Sequence, residues 1–172
     1  MASRLKKIYD SLEEVLYLID TAEGYNTTTG QIQQVDDVLA VSNNADDGYV
    51  NYYYRMRPDG IRPRGQGWAT DAYYYTVPIE ITAQPYLPGD DANPRTALQE
   101  LLWEVHDDIR RAFGRAELDR STAMSNEVES WEIVNVQERI TERETLIEAG
   151  KLVVVVELYV SQSWNNITNK GC

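Results

Sequence analysis

Any chemistry in this chain has to come from a short roster, because 172 residues hold one histidine, one cysteine and 28 acids. His106 sits between Val105 and Asp107. A nucleophilic triad would need an acid to orient the imidazole, and the adjacent Asp107 points away from it on a helix. The chain has no Gly-x-Ser-x-Gly elbow, so His106 reads as a polar boundary residue. Cys172 is the only thiol, which leaves no intramolecular disulfide and no thiolate metal site and fits a reducing, cytoplasmic setting.

The doublets Asp36-Asp37, Asp46-Asp47, Asp90-Asp91 and Asp107-Asp108 offer oxygen ligands for Mg²⁺ or Ca²⁺ without the spacing of an EF-hand loop. Loop solubility and helix N-terminal charge account for them. Arg62-Pro63-Arg64-Gly65-Gln66-Gly67 has glycines but lacks the Gly-Lys-Ser/Thr ending of a phosphate loop. No pair of acids stands out as a glycosidase couple. No catalytic, cofactor or metal residue is therefore assigned, and the chain reads as a non-enzyme. A metal-dependent hydrolase built on the doublets is the enzymatic alternative.

One segment departs from the average. Between Arg55 and Trp68 stand Arg55, Arg57, Arg62 and Arg64 against Asp59 alone, preceded by Tyr49, Tyr52, Tyr53 and Tyr54. Arginine with exposed tyrosine is the composition of protein interfaces. Arg55, Arg57, Arg62, Arg64, Trp68, Tyr52 and Tyr54 are thus candidate partner-binding residues. The competing reading is a hairpin whose arginines are solvated or pair with the chain's own surplus acids. A net charge of −12 puts protein ahead of nucleic acid as the partner, since binding a phosphate backbone calls for a basic surface.

The elements that must position these residues follow from periodicity. A chain of this length forms one domain able to bury about two thirds of its unfolded surface. Leu5, Ile8, Tyr9, Leu12, Val15, Leu16 and Ile19 mark one face of an amphipathic helix over residues 3–20. This charged periodicity is also not that of a signal peptide. A loop over Asn26 to Gly30 and a strand over Val35 to Val41 are expected next. Tyr49 to Arg57 has strand propensity and ends at the turn Pro58-Asp59-Gly60.

Tyr73 to Ala83 alternates as a half-buried strand, and Pro78 within it predicts a sheet edge or a bulge. Asn93-Pro94 opens a second helix carrying Leu98, Leu101, Leu102, Val105, Ile109, Ala112 and Phe113 to a C′ residue at Gly114, with its acids, Asp108 included, on a polar outer face. Val128 to Ile140 reads as a strand, Ala149-Gly150-Lys151 as a turn, and Leu152 to Val160 as a central strand with one wholly aliphatic face. The fold expected is α+β, an antiparallel or mixed sheet of four to five strands with two main helices packed on one face. The longest apolar run, Leu152 to Val156, is far below the roughly 20 residues of a membrane span.

In this order of elements the chain resembles the tail terminator, or tail completion, proteins of long-tailed bacteriophages. The resemblance rests on the helix Leu5 to Ile19, the strand Val77-Pro78-Ile79-Glu80-Ile81, the helix running from Ala97-Leu98-Gln99-Glu100-Leu101 to Asp108-Ile109-Arg110-Arg111-Ala112-Phe113, and the closing strand Gly150 to Val160. These cover a little over half of the chain. The departures are a Tyr/Arg-rich hairpin or loop insertion at about 43–71 and a tail over 161–172 in an otherwise single domain 1–172.

The resemblance implies a structural virion protein of the tail or neck, assembled in the host cytoplasm as a homo-hexameric ring. Such a ring caps the head-proximal end of the tail tube, stops its polymerisation and offers a surface to the head–tail connector or stopper protein. Its partners would be the tail tube protein and that connector. Genomic DNA would pass through an acid-lined pore without specific binding, and the ring would need neither cofactor nor membrane. A ring also needs two different patches on each subunit; the strand with Pro78 or the face with Glu157 and Tyr159 could supply one. A head–tail stopper or neck connector subunit is the alternative within the same class.

Overall fold

The computed structural model describes residues 4–38, 45–67, 72–89, 92–118, 128–144 and 146–163. Helix α1 (Arg4–Tyr17) is followed by a single 3₁₀ turn (Thr21–Glu23), β1 (Thr28–Gln34), β2 (Tyr49–Met56), β3 (Arg62–Gly67) and β4 (Ala72–Pro85). Helix α2 (Pro94–Leu118), β5 (Ser130–Arg143) and β6 (Leu146–Ser163) follow. The fold is α+β with a mixed six-stranded sheet in the order β1-β2-β4-β6-β5, one strand more than expected because β3 also pairs with β4. Among the described strands β1 and β2 pair in parallel and every other pair is antiparallel.

Both helices lie on one face of this sheet. Ile8, Leu12, Val15 and Leu16 of α1 and Leu98, Leu102, Val105, Ile109 and Phe113 of α2 bury against Val77, Ile79 and Ile81 of β4 and the even-numbered residues Leu152 to Val160 of β6. Alternation along each strand sends these residues to the helices and their odd or even neighbours to the other face. The wholly aliphatic face read from the sequence of β6 is therefore the floor of the core.

Several boundaries differ from expectation. Val35 to Val38 is not a strand, and 39–41 lie outside the described residues. The strand is β1, over Thr28–Gln34, where a bulge between Thr29 and Ile32 admits Gly30 against Asn51 and gives the Gln31 amide to Asn51 Oδ1 at 2.9 Å. That one-sided polar composition hid it. Helix α2 continues through Gly114, since Ala116 extends its buried face.

Ala149 to Lys151 is inside β6, and β5 turns into β6 after Glu144, φ 48°. Gly150 is a packing residue: a Cβ there would stand 2.6 Å and 2.7 Å from the Cδ atoms of Leu98. β6 itself runs to Ser163, beyond the expected start of the tail.

Residues 49–67 are not appended to the sheet. β2 and β3 lie end to end along the same side of β4, with Met56 opposite Ile79 and Arg62 opposite Thr76. Residues 57–61 loop out between them around Pro58-Asp59-Gly60, closed by Gly60 N–H donating to Arg57 O at 2.8 Å with Gly60 at φ 65°. β4 is a central strand and not an edge. Pro78 accepts from Arg57 N at 2.9 Å, and its N–H-less nitrogen faces the same side as its carbonyl, where the neighbouring strand is interrupted.

Candidate functional site

Of the residues singled out from the sequence, Arg55, Arg62, Glu157 and Tyr159 share the face of the sheet opposite the helices. Cross-strand pairing places Arg55 of β2 opposite Glu80 of β4, Pro78 opposite Glu157 of β6 and Thr76 opposite Tyr159, while Glu157 lies opposite Glu132 of β5. Arg55 Nε bonds Glu80 Oε2 at 2.7 Å and its Nη1 donates to the Asp36 carbonyl at 2.7 Å. Arg62 pairs with Glu157, and Asp59 draws Arg57 at 3.5 Å and Arg62 at 3.8 Å. The Tyr159 hydroxyl stands 3.0 Å from Glu132 Oε2 and 3.4 Å from Glu157 Oε2, within donating reach of either.

The segment that is basic in sequence is therefore compensated in space. Arg55, Arg57 and Arg62 all face acids of the same chain, as the competing reading held, and what remains is a sheet face on which β2 and β3 supply the cations and β4, β5 and β6 the acids. Arg62 offsets the repulsion expected between the facing carboxylates of Glu157 and Glu132. The side chain of Arg64 and all of Trp68 lie outside the described residues.

Tyr52 and Tyr54 are not on this surface. Both are buried on the helix side of β2, because period-2 alternation splits the tyrosine run and only Tyr53 goes to the opposite face. Their expected exposure is corrected accordingly. The Tyr54 hydroxyl donates to Glu13 of α1 at 2.5 Å, with the Tyr9 ring 5.8 Å away. Burial pushes the Tyr52 hydroxyl well above the usual phenol range, and the nearby Asp108 charge adds to this. Burial and the Glu13 carboxylate do the same to Tyr54.

Asp108 is the polar residue that sequence reasoning misplaced. It is fully buried, not solvated. Its two oxygens accept from the backbone and side-chain nitrogens of Asn26 at 3.0 Å each, and from Thr27 N and Oγ1 at 2.8 Å each. Arg111, three residues on, donates to the Gly24 carbonyl at 3.0 Å and lies 4.9 Å over the Tyr25 ring. This latch ties α2 to the segment entering β1. A side chain at helical spacing from Val105 and Ala112 was the available signal.

His106 is partly exposed, with Nδ1 4.0 Å from Asp107, beyond hydrogen-bond distance. It joins Arg110, Trp131, Ile133 and Val136 around a shallow cleft between α2 and β5. Among the described residues no three His, Cys, Asp or Glu side chains gather as a metal site, and no helix is long and apolar enough to cross a membrane. What the arrangement offers chemically is recognition: a charge-compensated sheet face, an open cleft and two sheet edges. In comparison with known proteins, no family model matches the chain and no curated protein matches its sequence.

Proposed function

We propose that this chain is a tail terminator subunit of a long-tailed bacteriophage, forming a ring that caps the head-proximal end of the tail tube and offers a joining surface to the head connector. The observation that carries the reading is where the four segments behind the resemblance lie. α1, β4, α2 and β6 form the contiguous centre of the molecule, with β4 and β6 paired over twelve residues and both helices seated on them. Fold likeness does not by itself carry function, so the test is made on particles.

The net charge of −12 supports a DNA passage that repels the backbone instead of holding it. Phage particles assembled without this protein should carry tails longer than normal when viewed by electron microscopy. Tails of normal length beside heads that lose their DNA would overturn the reading and point to a stopper.

A further inference from the structure

We infer that the β5 edge, with the cleft beside α2, receives the β1 edge of a second copy of this chain by antiparallel strand addition, so that the sheet continues from subunit to subunit. Among the described residues β1 and β5 are the two ends of the sheet's strand order, the outer side of the short β3 being a further edge. β1 runs with β2, and direction then reverses at β4, at β6 and at β5. The two margins therefore run in opposite directions, and identically oriented neighbours bring β5 of one copy antiparallel to β1 of the next. Such a contact joins unlike patches and so repeats head to tail.

The distribution of apolar surface agrees. The described residues include seven exposed large hydrophobics. Val134, Val136, Trp103 and Leu146 lie on or beside the β5 margin. Tyr17 and Tyr49 lie at the β1 margin, where α1 ends against Thr29 and Tyr49 pairs with Thr28. The seventh, Ile61, is in the loop between β2 and β3.

Edge strands are normally protected by charge or by bulges; β1, Thr-Thr-Gly-Gln-Ile-Gln-Gln, has one bulge and no charge, and β5, bulged at Val134, has no charge from Ile133 to Gln137. Trp103 is tied to β5 by its Nε1 donating to Glu138 at 2.7 Å, and it remains more than half exposed. A two-fold β5 to β5 contact would cover one margin and leave the uncharged β1 strand, with Tyr17 and Tyr49 beside it, bare.

This seam rests on the ring reading given above, and the experiment separates the two. Sedimentation velocity of the full chain at about 100 μM, where a micromolar contact is saturated, should show self-association. A β5-margin variant, Val134→Lys with Val136→Lys, and a β1-margin variant, Gln33→Lys with Tyr17→Lys, should each be monomeric, with circular dichroism of the native chain. Mixed, they should form a 1:1 dimer and nothing larger, because one live edge remains on each. A wild-type monomer at that concentration, or a mixture that stays monomeric, overturns the seam. So does a β5-margin variant that still assembles.

Hydrogen exchange of the unmodified chain needs no substitution. Slowing on association should appear in 28–34 and 130–137, and slowing confined elsewhere overturns the seam. Normal tail length in particles lacking the protein would sink the terminator reading while leaving the seam standing. Overlong tails with rings joined through other surfaces would do the reverse.

Discussion

The two faces of the sheet solve burial differently. On the helix face the strands present Val77, Ile79, Ile81 and the even-numbered aliphatics of β6, closed by the apolar stripes of α1 and α2. Among the described residues no helix covers the other face, yet Asn51, Tyr53, Thr76, Thr82, Gln84, Val153 and Val155 are buried there too. Part of the cover is the chain leaving β1: the Asp36 carbonyl holds Arg55, Asp37 acts on Lys151, and Val38 is fully buried outside the helix-side core. The difference teaches where stability resides. One face gains free energy from apolar area removed from water, while the other is held by cross-strand polar and charged pairs of small individual worth.

The hardest way to break that contrast is at Asp108, the one fully buried charged residue among those described. Asp108→Ala should remove about 3–5 kcal/mol from the free energy of unfolding, the usual cost of orphaning buried partners of a charge. Urea titration reads it, and a loss below 1 kcal/mol would mean that the Asn26 and Thr27 donors find other acceptors. Asp108→Asn keeps the shape and one acceptor oxygen, and should fall between the two.

Next in size is a backbone contact. Gly150→Ala pushes a methyl into the fully buried Leu98 side chain, and overpacking of this kind costs about 1–3 kcal/mol. A thermal melt unchanged from wild type would show that the hairpin of β5 and β6 yields to α2 freely.

These two residues also mark how far sequence could be read. Helical spacing revealed both helices and which faces they bury, and alternation revealed β4 and β6, because each of those elements has one apolar side and a single partner layer. Gly150 was taken for a turn because glycine at a turn and glycine under a helix look alike until the helix is placed. Asp108 was taken for surface because its partners lie about eighty residues away. The tyrosine run was read as one surface because its strand faces two environments, and β3 and β1 were missed because neither carries an apolar alternation. The arginine segment was legible as unusual, but its neutralisation by Glu80, Asp59 and Glu157 depends on register that composition does not carry.

The smallest effect gives the sharpest test of the two faces, because it uses adjacent residues of one type. Tyr54 points to the helices and donates to Glu13; Tyr53 points to the opposite face, fully buried, and its hydroxyl, with Asn51 acting on it, makes no hydrogen bond of good geometry among the described residues. Removing one member of a made hydrogen bond typically loses 0.5–1.5 kcal/mol, so Tyr54→Phe should destabilise by about 1 kcal/mol. Removing an unpartnered buried hydroxyl loses no bond and lifts a desolvation penalty, so Tyr53→Phe should be neutral or stabilising by about 0.5 kcal/mol. Both rings keep their packing, so the difference isolates the hydroxyls. Equal losses in urea titrations would mean that the Tyr53 hydroxyl is bonded after all, through an ordered water or a group beyond the described residues, and that the second face is as fully satisfied as the first.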